Sequence, residues 1–147
     1  MKLLKSTASL GGEILGVDLS QKLNQNQINF INKSWEKRFV LVFKNQNIDD
    51  NALILFSKNF GDLDPPGPNP YGITFLPEFP EINVISNVKN KSGTPIGNLG
   101  DGEAVWHADM TYQEIPPKAG ILYALEVPKD QGNTHFANMA LAYEELP

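Results

Sequence analysis

The apolar positions of this chain change period several times along its length. Glu13 to Leu19, EILGVDL, is a short apolar run with turn glycines on either side, and it predicts a strand. From Asn24 to Arg38 the apolar residues Ile28, Ile31 and Trp35 recur at helical spacing. Asn24 and Gln27 stand three apart as a capping box, so a helix is expected there. Phe39 to Phe43, FVLVF, is a continuous apolar run of strand length and predicts a buried strand. A second helix is expected after Asp49 as N-cap, with Ala52, Leu53, Leu55, Phe56 and Phe60 on its apolar face and Gly61 at its end.

Regular patterning then stops. Asp64 to Pro70, DPPGPNP, carries four prolines in seven residues, each fixing φ and lacking an amide donor, so this is a loop. The irregular stretch from Asp64 to Pro80 has the length of a binding loop or lid. Ile82 to Ser86 predicts a strand and Lys89 to Gly102 a loop. Glu103 to Tyr112, Gly120 to Glu126 and Asn133 to Ala137 predict further strands, and Asn138 is placed to cap a helix through Leu146. No internal repeat is visible. The chain stops at Pro147 in the opening turns of that helix, just where strand signals are densest. A half-assembled sheet has unpaired edges, so the expectation is a fragment of a longer protein.

Composition narrows the partners. The 147 residues are one domain's worth of chain, and 41% hydrophobic with 20% charged is ordinary for a globular protein. A net charge of −5 and scattered lysines leave no basic patch, so neither a nucleic acid nor an anionic membrane is an expected partner. No cysteine is present, which excludes disulfides, thiolate metal sites and cysteine nucleophiles. The N-terminus, MKLLKSTASLGG, lacks the apolar core of a signal peptide, and no segment approaches the roughly 20 apolar residues of a membrane helix. A soluble cytoplasmic protein is expected, with a small-molecule substrate; a homo-oligomer is compatible with everything above.

The candidate chemistry lies in AVWHADMTY, Ala104 to Tyr112. In an extended segment residues i and i+2 project to the same face, so His107 and Asp109 would stand side by side. An imidazole and a carboxylate can hold two adjacent positions of a metal, as in the facial triad of two histidines and one carboxylate. The pattern alone leaves a second reading, a satisfied strand histidine beside a turn-capping aspartate.

The surroundings extend the pattern. They read Trp106-His107-Ala108-Asp109, Thr111-Tyr112, Pro116-Pro117, the small-residue strand Gly120 to Leu125, Gly132-Asn133-Thr134, Phe136, and Ala142-Tyr143-Glu144-Glu145-Leu146. Looser pieces precede them: Gly11-Gly12-Glu13-Ile14, Gly16-Val17-Asp18-Leu19, Val42-Phe43 before Gln46, and Phe60-Gly61-Asp62-Leu63. In order and spacing these closely resemble the TauD/TfdA family of Fe(II)/2-oxoglutarate-dependent dioxygenases. The resemblance covers most of the chain.

It implies a mixed α/β, mainly β fold, a double-stranded β-helix or jelly roll with flanking helices, incomplete at the C-terminus, residues 1–147 being the N-terminal part of one domain. It implies that His107 and Asp109 are iron ligands. It implies that Thr134 offers its hydroxyl to the 2-oxoglutarate carboxylate; otherwise Thr134 is a β-branched residue filling a strand. The reaction implied uses Fe(II), 2-oxoglutarate and O2, hydroxylates a small organic substrate and releases succinate and CO2. The family's second histidine and its 2-oxoglutarate arginine lie downstream of the matched motifs. His135 is not expected to replace that histidine, because it alternates with Thr134 and would point to the opposite face. Tyr71, Glu103, Met110 and Tyr112 are substrate-pocket candidates by position. Glu103 would suit an amine or other cationic substrate, or else is a solvated loop acid. The loop from Asp64 to Tyr71 has no histidine where taurine-type members place a sulfonate contact. Trp106 either steadies the ligand segment or is a plain core residue. Two other readings remain: a non-catalytic binding or assembly module, and a jelly-roll protein holding another divalent metal.

Overall fold

The computed structural model describes residues 1–65, 72–98 and 105–147. Six elements form in chain order: β1 (Lys2–Lys5), β2 (Gly12–Leu15), α1 (Gln25–Arg38), β3 (Leu41–Val42), α2 (Asp50–Ser57) and α3 (Met139–Glu144). The three strands make one sheet in the order β1-β2-β3. β1 runs antiparallel to β2, with Leu3 opposite Ile14, and β3 lies parallel to β2, with Gly12 opposite Leu41. A parallel neighbour needs a crossover, and α1 supplies it.

The helix α1 forms where the sequence signals it. The Asn24 side chain accepts from the Gln27 amide at 3.0 Å while Gln27 accepts from the Asn24 amide at 2.9 Å, closing the capping box. Ile31 and Ser34 are buried, and the Ser34 hydroxyl is satisfied by the Phe30 carbonyl at 2.8 Å. At its other end Phe39 adopts φ 61° and ψ −35°, and the Val40 amide folds back on the Arg38 carbonyl at 2.7 Å. This tight three-residue turn is an unfavourable conformation for a residue with a Cβ. It is held by the Trp35 indole, which donates to the Phe39 carbonyl at 2.8 Å.

Arg38 fastens the β1–β2 connection. Its Nε donates to the Gly11 carbonyl at 2.8 Å, and its Nη2 reaches the carbonyls of Ser6, Ala8 and Leu10 at 3.2, 2.8 and 3.1 Å. The planar guanidinium fork suits this gathering of carbonyls better than an ammonium would. Gln46 does similar work further on: its amide accepts from Leu19 N–H at 2.8 Å and donates to the Val17 and Lys44 carbonyls. Ile14, Leu19, Leu23, Ile31 and Phe56 form the buried apolar core, with Phe43 edge-on to Phe56 at 5.5 Å.

The chain divides into two compact units, one of residues 1–59 with 123–147 and one of residues 60–122. In the first, the Tyr123 hydroxyl accepts from Ile48 N–H and donates to the Gln46 carbonyl, both at 3.3 Å. The second contains an irregular hairpin. Asn98 N–H bonds the Val84 carbonyl, Ile96 N–H the Val88 carbonyl, and Asn90 and Thr94 close the tip, where the Asn90 carboxamide also accepts from the Ser92 and Thr94 amides. Gly97 sits where a Cβ would come within 2.7 Å of the Ser86 backbone nitrogen, so only glycine fits.

Several expectations are corrected. The strand expected over Glu13 to Leu19 is β2, which ends at Leu15, and β1 was not anticipated. The run Phe39 to Phe43 yields only the two-residue β3, with Phe39 and Val42 exposed, because the turn at Phe39 uses up its start. The second helix ends at Ser57, short of Phe60. Among the described residues, the segments within Ile82 to Ser86, Glu103 to Tyr112, Gly120 to Glu126 and Asn133 to Ala137 are not strands. A strand needs a neighbour to take its amides and carbonyls, and these segments form no extended ladder.

Candidate functional site

His107 lies on an irregular stretch, just after a bend at Trp106, that runs into a turn beginning at Asp109. The turn is closed by the Gln113 amide on the Met110 carbonyl at 3.0 Å and by the Thr111 hydroxyl on the Ala108 carbonyl at 3.4 Å. The expected strand over Glu103 to Tyr112 does not form among its described residues. The two side chains meet all the same. His107 Nε2 stands 3.1 Å from Asp109 Oδ1.

The other ring nitrogen is also engaged. His107 Nδ1 is 2.6 Å from the Val105 carbonyl oxygen, which can only accept, so Nδ1 carries the proton. In the neutral ring the lone pair then sits on Nε2, the nitrogen beside the carboxylate. The Val105 hydrogen bond foremost, then the Asp109 charge, holds the imidazole above its ordinary value of 6.5. Both side chains are well exposed, at 63% and 77%. Val105 was not singled out from sequence, since a backbone carbonyl leaves no side-chain signature.

These two donors fit a divalent metal. With metal–ligand bonds of roughly 2.1 Å, adjacent octahedral donors stand about 3.0 Å apart, which the observed separation matches. Nε2 with its lone pair and a carboxylate oxygen are also donors that non-haem iron accepts. Among the described residues no group of three or more histidine, aspartate or glutamate side chains is assembled for a metal.

Met110 follows directly with φ 51°, in the left-handed region that a residue with a Cβ enters at a cost of roughly 1–2 kcal/mol. Tyr112 is exposed, and so is Trp106 at 71%, which excludes the plain core tryptophan in this structure. Tyr71 and Glu103 lie outside the described residues. His107, Asp109, Met110 and Tyr112 belong to one unit and Thr134 to the other. Thr134 is exposed on an irregular segment after Gly132, whose φ is 74°. His135 is likewise exposed. The chain's single arginine, Arg38, is occupied at the β1–β2 connection.

Known proteins are similar to this chain in sequence. Pentalenolactone F synthase of Streptomyces avermitilis is 32% identical over 143 residues, 95% of this chain and 45% of that protein. An alpha-ketoglutarate-dependent sulfate ester dioxygenase of Pseudomonas putida is 31% identical over 139 residues, 94% of this chain and 42% of that protein. The crystal structure of a taurine dioxygenase from Burkholderia xenovorans superposes with a TM-score of 0.50 at 25% identity, over 61% of this chain and 31% of that one. The chain thus spans less than half the length of these relatives. No helix among the described residues is long and apolar enough to cross a membrane. The match to the family described as taurine catabolism dioxygenase TauD, TfdA runs over residues 2–147, so the chain belongs to the TauD/TfdA family.

Proposed function

We propose that the whole protein is an Fe(II)- and 2-oxoglutarate-dependent dioxygenase, and that this chain contributes His107 and Asp109 as two adjacent iron ligands. The observation that carries the reading is the 3.1 Å approach of His107 Nε2 to Asp109 Oδ1, with the tautomer set by the Val105 carbonyl. Bound iron with 2-oxoglutarate and O2 would supply the oxidising power for hydroxylation, with release of succinate and CO2. The chain's own work is to present a lone pair and a carboxylate in adjacent positions. Thr134 would donate its hydroxyl to the distal carboxylate of 2-oxoglutarate.

A second histidine and the cation that pairs with 2-oxoglutarate would come from the part of the family's length beyond the matched residues. The jelly roll belongs to the same reading. The irregular segments around Val105, Leu122, Leu125 and Phe136 expose large apolar side chains that a completed core would cover. Residues 1–147 would then be part of a single domain in a cytoplasmic enzyme.

The substrate would be a small organic molecule of sulfonate, sulfate-ester, carboxylate or amine type. Two of the three named relatives act on a sulfate ester and on taurine, which supports an anionic group. An acid at Glu103 supports an amine.

The test is succinate release by the full-length protein, expected only when Fe(II), 2-oxoglutarate and O2 are all present and lost in both His107→Ala and Asp109→Ala. Release that persists in either variant overturns the assignment of the ligands. One observation favours a non-catalytic binding module instead: among the described residues no three-ligand group forms. Failure of the full-length protein to bind Fe(II) would decide for that module.

A further inference from the structure

The two contacts of His107 make opposite demands on its ring. The Val105 carbonyl oxygen, 2.6 Å from Nδ1, can only accept, so it calls for a proton there. The Asp109 carboxylate oxygen, 3.1 Å from Nε2, is an acceptor too. A neutral imidazole has one proton and can serve one of them. A carboxylate is the stronger acceptor, and a proton drawn to Nε2 would fill the position a metal needs. The Val105 contact is the shorter of the two, and it keeps the proton on Nδ1. Nε2 and the carboxylate then turn lone pairs toward each other, an arrangement that a cation between them satisfies.

The same contact chooses the face of the ring. Turned over about Cβ–Cγ, the imidazole would set Cδ2 against the carbonyl and Cε1 beside Asp109, and both contacts would be lost. Little packing opposes that turn. The His107 side chain is 63% exposed, and its neighbours Val105 and Trp106 are 81% and 71% exposed. The ring is therefore oriented by main chain two residues before it and by Asp109, not by the apolar side chains alongside.

We propose that Val105 is a positioning residue for the His107–Asp109 pair, and that it acts through its main-chain carbonyl. By holding the proton on Nδ1 and the ring unflipped, that carbonyl makes Nε2 the metal-binding nitrogen. This rests on the metal reading above and adds a main-chain member to the pair. The valine side chain plays no part in it.

The experiment uses the full-length protein, metal-free for nitrogen-15 NMR and titrated with Mn(II) for electron paramagnetic resonance. The ring signals of His107 are those lost in His107→Gln. With the ring neutral, they are expected to show the proton on Nδ1. A proton on Nε2 in the parent overturns the proposal, whatever any variant does. The second arm replaces the peptide bond between Val105 and Trp106 by an ester, whose carbonyl is a weaker acceptor. The Trp106 amide hydrogen that this removes has no partner among the described residues. The ester is expected to shift the proton toward Nε2 and to weaken Mn(II) binding by about tenfold. Unchanged affinity overturns the proposal. So does a loss of affinity with the proton still on Nδ1, since a merely structural role would leave the tautomer alone. A parent that binds no Mn(II) overturns the metal reading and this proposal with it, whereas the wrong tautomer in a parent that binds Mn(II) overturns this proposal alone.

Discussion

His107 Nε2 stands 3.1 Å from Asp109 Oδ1 while its Nδ1 is tied to the Val105 carbonyl. The ring is thus fixed at both nitrogens by groups within two residues of it. Two consequences follow for its titration. The midpoint measured by NMR is expected above 6.5, and Asp109→Asn is expected to lower it only in part, because the Val105 contact comes first among the causes. A midpoint at or below 6.5 in the parent would show that the ring is not held this way in solution. A raised value contributes stability at low pH that is lost as the pH rises through it. At this exposure that contribution is small. Metal binding runs the other way: protons compete for Nε2, so Mn(II) affinity should climb with pH up to the His107 midpoint and level off above it.

Arg38→Lys tests the fastening of the β1–β2 connection. An ammonium cannot span four carbonyls in the plane of a guanidinium, so the variant should lose roughly 1–3 kcal/mol in urea unfolding. An unchanged midpoint would mean that water serves those carbonyls equally well.

Gly97→Ala places a methyl group against backbone, 2.7 Å from Ser86 N and 2.8 Å from the Val84 carbonyl oxygen. Backbone atoms cannot swing aside, so the hairpin should open at a cost of about 1–3 kcal/mol. The Asn98 amide, bonded to Val84, is the reporter: its hydrogen exchange should accelerate sharply, and parental exchange would refute the close approach.

Asn24→Ala removes the acceptor for the Gln27 amide and leaves the reciprocal contact unsupported. The expected loss is about 1 kcal/mol by chemical denaturation. Asn24→Ser, which keeps an acceptor at the cap, should restore most of it.

What the sequence made legible is what short-range physics decides. The start of α1 could be read because Asn24 and Gln27 are three residues apart and satisfy one another. Asn138 could be read as the cap of α3 because its short side chain accepts from the Leu141 amide three residues on. His107 and Asp109 do meet, but across a bend at Trp106 and a turn from Asp109 rather than through the two-residue period of the expected strand. Strands were harder, since a strand is a property of a pair. Gly120 to Glu126 and Asn133 to Ala137 have strand-like residues without a ladder, while Lys2–Lys5, unremarkable alone, becomes β1 because β2 lies beside it. Two features of the candidate site leave no trace in the letters: the Val105 carbonyl, which any residue would supply, and the positive φ of Met110, at a residue type that does not advertise it.

The sheet, its crossover helix and the Arg38 fastening all lie among the first 57 residues. During synthesis at roughly 5–20 residues per second, a further 3–10 s or so passes before His107 is made. The ribosome therefore delivers the scaffold strands and α1 well ahead of the imidazole and carboxylate. A chain broken off before residue 107 would carry the residues of all three strands and of α1, but neither His107 nor Asp109.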